Sequence, residues 1–263
     1  MKLKVIACDV LFREISYWAA QSPHIIDTRF LRRELHNDPD DLRAEIQSEI
    51  DRDEGYDAIV LGYALCSNAG AYLRATRAPL VLPRGHDCIT LFLGSRQRYD
   101  ASFSQDPGTY YYTTGWIERA GTRVERTTEE SDAAQGGIYQ DYVTRFGEDS
   151  AKYLMETLHT WWKNYTRAAF IGMGLPLRER FEARARKQSA EVAREYGWDF
   201  QELSGDQRLF SLLVDANWDE SEFLVAPVGT QIVPSYDDGV VRATTEHEPI
   251  PPRAKRILRV ETL

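Results

Sequence analysis

The apolar positions fall into short continuous runs separated by stretches of helical spacing, and this alternation recurs along most of the chain. Residues 3–8 form an apolar run that predicts a first strand. Over 10–20, Val10, Leu11, Ile15, Trp18 and Ala19 recur at the spacing of one helix face. A shorter strand is predicted over 24–28, a helix over 40–52 just behind Pro39, and a buried strand over 57–62, Asp-Ala-Ile-Val-Leu-Gly. Residues 68–74 read as a short helical turn and 79–82 as a strand stopped by Pro83. A helix is predicted over 88–98, with Asp87 placed to cap it. The stretch 108–116 carries Tyr110, Tyr111, Tyr112 and Trp116 and reads as a strand or extended loop, while the polar, glycine-bearing 122–137 reads as a linker. Beyond it come a long helical stretch over 138–165, a strand over 167–172, a charged helix over 178–196, a strand over 198–203, a helix over 207–214 and a strand over 222–228. Ser235-Tyr236-Asp237-Asp238-Gly239 is a hairpin signal, and 257–260 reads as a closing strand.

Strands alternating with helices predict an α/β protein with a mostly parallel, doubly wound (Rossmann-like) sheet. The continuous apolar runs suit strands covered on both faces. The expected organisation is a Rossmann-like lobe over 1–125 and a second α/β lobe over 126–263, meeting at a cleft, with a single domain as the alternative. A faint echo between 58–63 and 168–173 fits two similar lobes, and equally any pair of buried strands. Gly172-Met173-Gly174 lacks the third glycine of a dinucleotide fingerprint.

Composition narrows the classes. The chain has 263 residues, 43% of them hydrophobic, enough for a real core. A formal net charge of −9 argues against a phosphate-neutralising surface, so no nucleic-acid partner is expected. No stretch approaches the ~18–20 apolar residues of a membrane helix, and residues 1–7 run into polar Arg13-Glu14, which suits a strand and not a signal peptide. The expected setting is cytoplasmic, away from membranes. There the three cysteines act as thiols, ligands or nucleophiles, and not as disulfides.

Cys8 ends the first predicted strand, and Cys66 and Cys88 each follow a strand by a few residues. In the sheet order 2-1-3-4 those strands are neighbours, ~4.8 Å apart, so three thiols from distant parts of the chain converge at one edge. The plain alternative is that each cysteine is a small buried hydrophobe. His86, two residues before Cys88, can join a thiolate on one metal, at ~2.0–2.1 Å and ~2.3 Å for zinc. Alternatively, Asp87 caps the helix while His86 faces solvent. A helix N-terminus at Cys88 would lower its thiol pKa. Gly85 allows a sharp turn, and Arg84 adds positive charge for an anionic ligand or thiolate. Around Cys66, Gly62, Gly70, Ser67 and Asn68 offer backbone and side-chain donors suited to a thiolate, a cluster sulfur or an oxyanion. The alternative is an ordinary loop with Ser67 or Asn68 as helix cap. The expected site therefore has Cys8, Cys66 and Cys88 as metal ligands. His86, Arg84 and Asn68 are its catalytic candidates, and Gly62, Ser67 and Gly85 its cofactor-binding ones.

The blocks at 6–11 (Ile-Ala-Cys-Asp-Val-Leu), 62–68 (Gly-Tyr-Ala-Leu-Cys-Ser-Asn), 83–90 (Pro-Arg-Gly-His-Asp-Cys-Ile-Thr) and 93–99 (Leu-Gly-Ser-Arg-Gln-Arg-Tyr) resemble the signature blocks of an uncharacterised family, number 1638 among the domains of unknown function. The resemblance covers residues 4–118 best. Ser67 stands where many members are expected to carry glycine. The resemblance implies an association with corrinoid-dependent methyl transfer, and hence metal-thiolate chemistry with a corrinoid protein as a partner. The His-x-Cys step is also similar to zinc-dependent methylcobamide:thiol methyltransferases, a likeness of two residues and of chemistry alone.

Three functions are expected from this reading. The first is a metal-thiolate protein acting on a small molecule in methyl transfer or sulfur metabolism. The second is a non-catalytic metal-binding accessory protein of a corrinoid methyltransferase system. The third is a metal-free cofactor-binding module. Three thiolates with an open fourth position suit zinc and equally an iron–sulfur cluster with one open iron. The spread over separate strand ends suits the cluster, and the His-x-Cys step suits zinc.

Overall fold

The computed structural model describes residues 1–52, 55–119, 139–140, 142–158, 161–176, 180–235 and 237–251. Its strands are β1 (Lys2–Cys8), β2 (Ile25–Leu31), β3 (Ala58–Gly62), β4 (Leu80–Pro83), β5 (Thr109–Tyr112), β6 (Arg167–Gly172), β7 (Asp199–Ser204), β8 (Phe223–Ala226), β9 (Gln231–Pro234) and β10 (Val241–Thr244). The early helices are α1 (Phe12–Ala19), α2 (Pro39–Asp51), α3 (Ile89–Leu93), α4 (Arg96–Gln105) and α5 (Thr114–Arg119).

The chain forms two compact units, Met1–Tyr99 with Gly205–Leu263, and Asp100–Ser204. The first carries a five-stranded sheet ordered β2-β1-β3-β4-β8, with β2, β1, β3 and β4 parallel. β8 pairs antiparallel with β4. A sheet that takes its edge strand from late in the chain makes the unit discontinuous, so its bounds differ from a linear division at residue 125. The protein is thus α/β with a mostly parallel sheet, as its alternating pattern predicts. β1, β3 and β4 are buried nearly throughout, matching their apolar runs, while the edge strand β2 is largely exposed. Right-handed crossovers put α1 and α2 on opposite faces, because the chain leaves β1 toward β2 and then passes back to β3.

α2 shows how local sequence makes its element. Asp38 accepts from the N–H of Asp40 at 3.1 Å, Pro39 occupies the first helical position, and Leu42, Ile46 and Ile50 form the buried stripe. The charge buried in β1 is paired. Lys4 Nζ lies 3.2 Å from Glu49 Oε2 and donates to the Glu49 carbonyl at 2.8 Å, and Arg29 and Arg52 close on the same carboxylate.

The second unit holds the parallel sheet β5-β6-β7. The helix Arg180–Tyr196 packs against β6 and α5 around Tyr112, Ile117, Phe170 and Val192. The two segments that echo one another in sequence, 58–63 and 168–173, supply the central strands β3 and β6 of the five- and three-stranded sheets.

Three helix expectations are corrected. The helix expected over 88–98 breaks after Leu93, because Gly94 takes φ +78° and its N–H closes on the carbonyl of Thr90 at 3.0 Å. A Cβ at Gly94 would also lie 2.4 Å from that of Asp206. The long helix expected over 138–165 is interrupted at Gly147, φ +82°, and resumes as Glu148–Leu158. The helical turn expected at 68–74 forms no helix: the stretch is turn and bend, with Asn68 and Tyr72 at positive φ. The hairpin forms, with β9 and β10 antiparallel. The linker at 122–137 and the strand at 257–260 lie outside the described residues. No helix among the described residues is long and apolar enough to cross a membrane.

Gly62 pairs with Ala7 across β1 and β3, and a Cβ there would lie 2.4 Å from the Ala7 Cβ. We expect Gly62→Ala to lower unfolding free energy by ~1–3 kcal/mol, read by chemical denaturation, through overpacking between two buried strands.

Candidate functional site

β1, β3 and β4 run parallel and side by side, so their carboxyl ends open on one edge of the first unit. The turnaround between β1 and β3 is the topological switch point where open α/β sheets bind ligands. Cys8 is the last residue of β1, Cys66 follows β3 and Cys88 follows β4. All three are free thiols; Cys8 is buried, and Cys66 and Cys88 are half-buried.

Two backbone hydrogen bonds draw the second and third cysteines together. Leu65 N–H donates to the Gly85 carbonyl at 3.0 Å, and Cys66 N–H to the His86 carbonyl at 2.9 Å. Between them the backbone is strained. Cys66, Ser67 and Asn68 take φ of +45°, +55° and +69°, three successive non-glycine residues in the left-handed region. Arg43 of α2 holds this run, donating from Nη2 to the Asn68 carbonyl at 2.7 Å and from Nε to the Ala71 carbonyl at 2.9 Å. Its guanidinium also lies 5.6 Å over the Tyr72 ring.

The three sulfurs share one electrostatic environment. Burial pushes the Cys8 and Cys66 thiols up to about 12. Cys88 is driven well above its ordinary range by burial, then by the nearby Cys66, Asp87 and Cys8. The lowering expected of a helix N-terminus at Cys88 is therefore overridden by desolvation. Backbone N–H groups oppose the shift: that of Val10 at Cys8, those of Ala64 and Cys88 at Cys66, and Cys88's own at Cys88. These are the donors that stabilise a thiolate once it forms. Among the described residues, no three His, Cys, Asp or Glu side chains stand ready-made as a metal-holding group.

The other expected residues divide. Gly62 and Gly85 are close-packed: a Cβ at Gly85 would lie 2.8 Å from Thr90 Oγ1. Ser67 and Asn68 are exposed, and Asn68 contributes its carbonyl to Arg43. His86 is exposed too, and its carbonyl receives the Cys66 N–H. Asp87 caps α3, accepting from Ile89 N–H at 2.9 Å, and accepts from Tyr99 Oη at 3.1 Å. The Arg84 guanidinium is taken up by backbone carbonyls, those of Glu220 at 2.8 Å, Gly239 at 2.7 Å and Val241 at 2.6 Å. It braces β4 against the β9–β10 hairpin.

Sequence reasoning missed four residues at this edge. Tyr63 is 1% exposed, its hydroxyl has no hydrogen-bond partner among the described residues, and it feels the charges of Cys8, Cys66, Asp9 and Cys88. The His36 ring meets the Tyr63 ring edge-on at 5.9 Å. Burial, reinforced by Arg33, lowers the His36 pKa and keeps the imidazole neutral. Asp9 Oδ1 lies 4.0 Å from Cys8 Sγ and accepts from Arg33 N–H at 3.0 Å.

Two outcomes follow from this geometry. Ser67→Gly should raise unfolding free energy by ~0.5–1 kcal/mol, because glycine takes the left-handed conformation without a Cβ penalty, whereas Ser67→Val should lower it. The thiols stabilise the metal-free fold in their protonated form. That contribution is complete below the ordinary thiol pKa near 9 and is lost as pH rises through the folded value of about 12. Stability should therefore fall between those limits, by up to ~1.4 kcal/mol per pH unit for each thiol, and Cys66→Ala should flatten the decline.

No curated protein and no solved structure matches the chain. One family does, over a stretch that includes Cys66 and Cys88 and begins after Cys8. The chain belongs to the family described as "Protein of unknown function (DUF1638)", whose model matches residues 30–214.

Proposed function

We propose that the protein is a metal-thiolate protein, holding zinc or an iron–sulfur cluster on Cys8, Cys66 and Cys88, and that it acts on a small molecule in methyl transfer or sulfur metabolism. The observation that supports this reading is the placement of three free cysteines at or just after the carboxyl ends of three adjacent parallel strands, beside the switch point of the sheet. The chemistry of the residue types suits such a group. Soft sulfur donors suit zinc and iron, backbone N–H groups face each sulfur, and an unpartnered buried hydroxyl stands beside them. A bound metal would supply Lewis acidity or an activated thiolate. The chain's own part is to hold the sulfurs on rigid strand ends, exclude water and present N–H donors.

A second reading, the non-catalytic accessory protein of a corrinoid methyltransferase system, draws on a specific observation. His86 and Asn68 are exposed, and the Arg84 guanidinium is engaged by backbone carbonyls, which suits a site that binds without acid–base catalysis.

Anaerobic purification followed by metal analysis and an absorbance spectrum separates the metals. Broad absorbance near ~400 nm indicates a cluster, and a colourless protein with stoichiometric zinc the alternative. Cys8→Ser, Cys66→Ser and Cys88→Ser should each reduce metal content, while His86→Ala should retain it. Because the free thiols are protonated, uptake of zinc should release protons, and its apparent affinity should rise ~10–10³-fold per pH unit near neutrality. A Cys88→Ser protein with wild-type metal content sinks the proposal.

A further inference from the structure

β2 is an edge of the five-stranded sheet, and most of its length is exposed. Its seven residues, Ile25–Leu31, include no proline and no lysine, two residue types that ordinarily blunt such an edge. Apolar surface lies along it. Ile25 is 66% exposed, and Phe12, whose ring meets that of Phe30 edge-on at 5.2 Å, is 41% exposed. The Ile25 N–H donates to the Met1 carbonyl at 3.0 Å, so the parallel ladder with β1 engages Ile25, Asp27, Arg29 and Leu31. Alternation turns the backbone N–H and C=O of Ile26, Thr28 and Phe30 outward, where they have no partner among the described residues.

This edge is complementary to itself. Laid antiparallel about a two-fold axis at Thr28, two copies set Thr28 opposite the partner's Thr28, Ile26 opposite the partner's Phe30, and Asp27 opposite the partner's Arg29. The residues with outward backbone groups then face one another, so backbone parity and side-chain match select the same register. Sliding the copies by two residues sets Asp27 against the partner's Asp27, or Arg29 against the partner's Arg29, and like charges oppose both shifts. Asp27 Oδ2 is already engaged, by Tyr56 Oη at 2.9 Å and Lys2 Nζ at 3.8 Å, and Arg29 Nε lies 3.2 Å from Glu49 Oε1. Asp27 Oδ1 and the Arg29 Nη groups have no partner among the described residues, and the two side chains are 53% and 52% exposed. We propose that β2 pairs with β2 of a second copy of this chain in this register, joining two five-stranded sheets into one across the two-fold axis.

Sedimentation of the full chain, with cross-linking through introduced cysteines, tests this. We expect the wild-type protein to be a dimer at ~50 µM, a concentration at which a micromolar complex is associated. Thr28→Pro removes an outward N–H that makes no bond within the chain, and should give a monomer with an unchanged circular dichroism spectrum. In the proposed register the two Thr28 Cα atoms lie ~5.5 Å apart, within disulfide reach, whereas the two Ile25 Cα atoms lie ~20 Å apart. Oxidation with diamide should therefore join Thr28→Cys chains ~10-fold faster than Ile25→Cys chains, with the wild-type protein giving the background. This comparison decides the register even where Thr28→Pro fails to fold. A wild-type protein that stays monomeric at that concentration overturns the proposal and leaves the edge to a partner of different sequence. A folded Thr28→Pro protein that is still dimeric, or Ile25→Cys chains that join as fast as Thr28→Cys chains, overturns it as well.

Discussion

Everything at the candidate site depends on how closely β1 and β3 approach at their carboxyl ends. Ala7 and Gly62 are register partners there, and the space between them admits no further carbon, since a Cβ on Gly62 would fall 2.4 Å from Ala7 Cβ and 2.9 Å from Ile15 Cδ1. Because the strands stay paired to that point, Cys8 and Tyr63 follow directly from two neighbouring strand ends. β4, paired to the other side of β3, delivers the loop that carries Cys88. Parallel pairing thus brings residues far apart in sequence to one edge of the sheet.

The same edge is where the molecule departs from locally favourable structure. Three successive non-glycine residues sit in the left-handed region, burial raises the thiols, and a buried hydroxyl has no partner among the described residues. Each feature is unfavourable by itself, and they coincide within one loop cluster. Such concentration of strain marks functional positions more than packing positions. Arg43 is what holds the strained run, two of its donors being given to the carbonyls of Asn68 and Ala71. Rigidity at Cys66 therefore comes from α2 as well as from β3.

Much of the fold was legible because its strands are continuous apolar runs. Residues 57–62 and 167–172 could hardly be anything but buried strands, and they became the central strands of the two sheets. The adjacency of the cysteine-bearing strands followed from the common order of such sheets. What escaped reading was tertiary. The close approach of Asp206 to Gly94, which leaves no room for a Cβ there, comes from more than a hundred residues away. The discontinuity of the first unit depends on β8 returning to β4, which no local pattern announces. Nothing in the sequence singles out Tyr63, since a buried hydroxyl without a partner is visible only once its neighbours are placed. Arg84 has the charge expected of a site residue, but backbone carbonyls brought by the hairpin claim it.

The protonation of the thiols narrows what the cluster can do. Burial raises the Cys8 and Cys66 thiols well above their ordinary range, which disfavours the thiolate at neutral pH. A catalytic cysteine working as a free nucleophile shows the reverse, a thiolate favoured by a neighbouring cation or helix N-terminus. Here desolvation outweighs the backbone N–H groups, and the Arg33 guanidinium acts on Cys8 less than burial does. The balance changes when a positive charge enters among the sulfurs, because each thiolate then gains a strong partner and keeps its N–H donor. A metal ion supplies that charge on the scale required. The same burial that makes the thiols inert alone makes them a tight, water-excluded donor set once a cation is present, which favours the metal-thiolate reading over a metal-free cysteine chemistry at this edge.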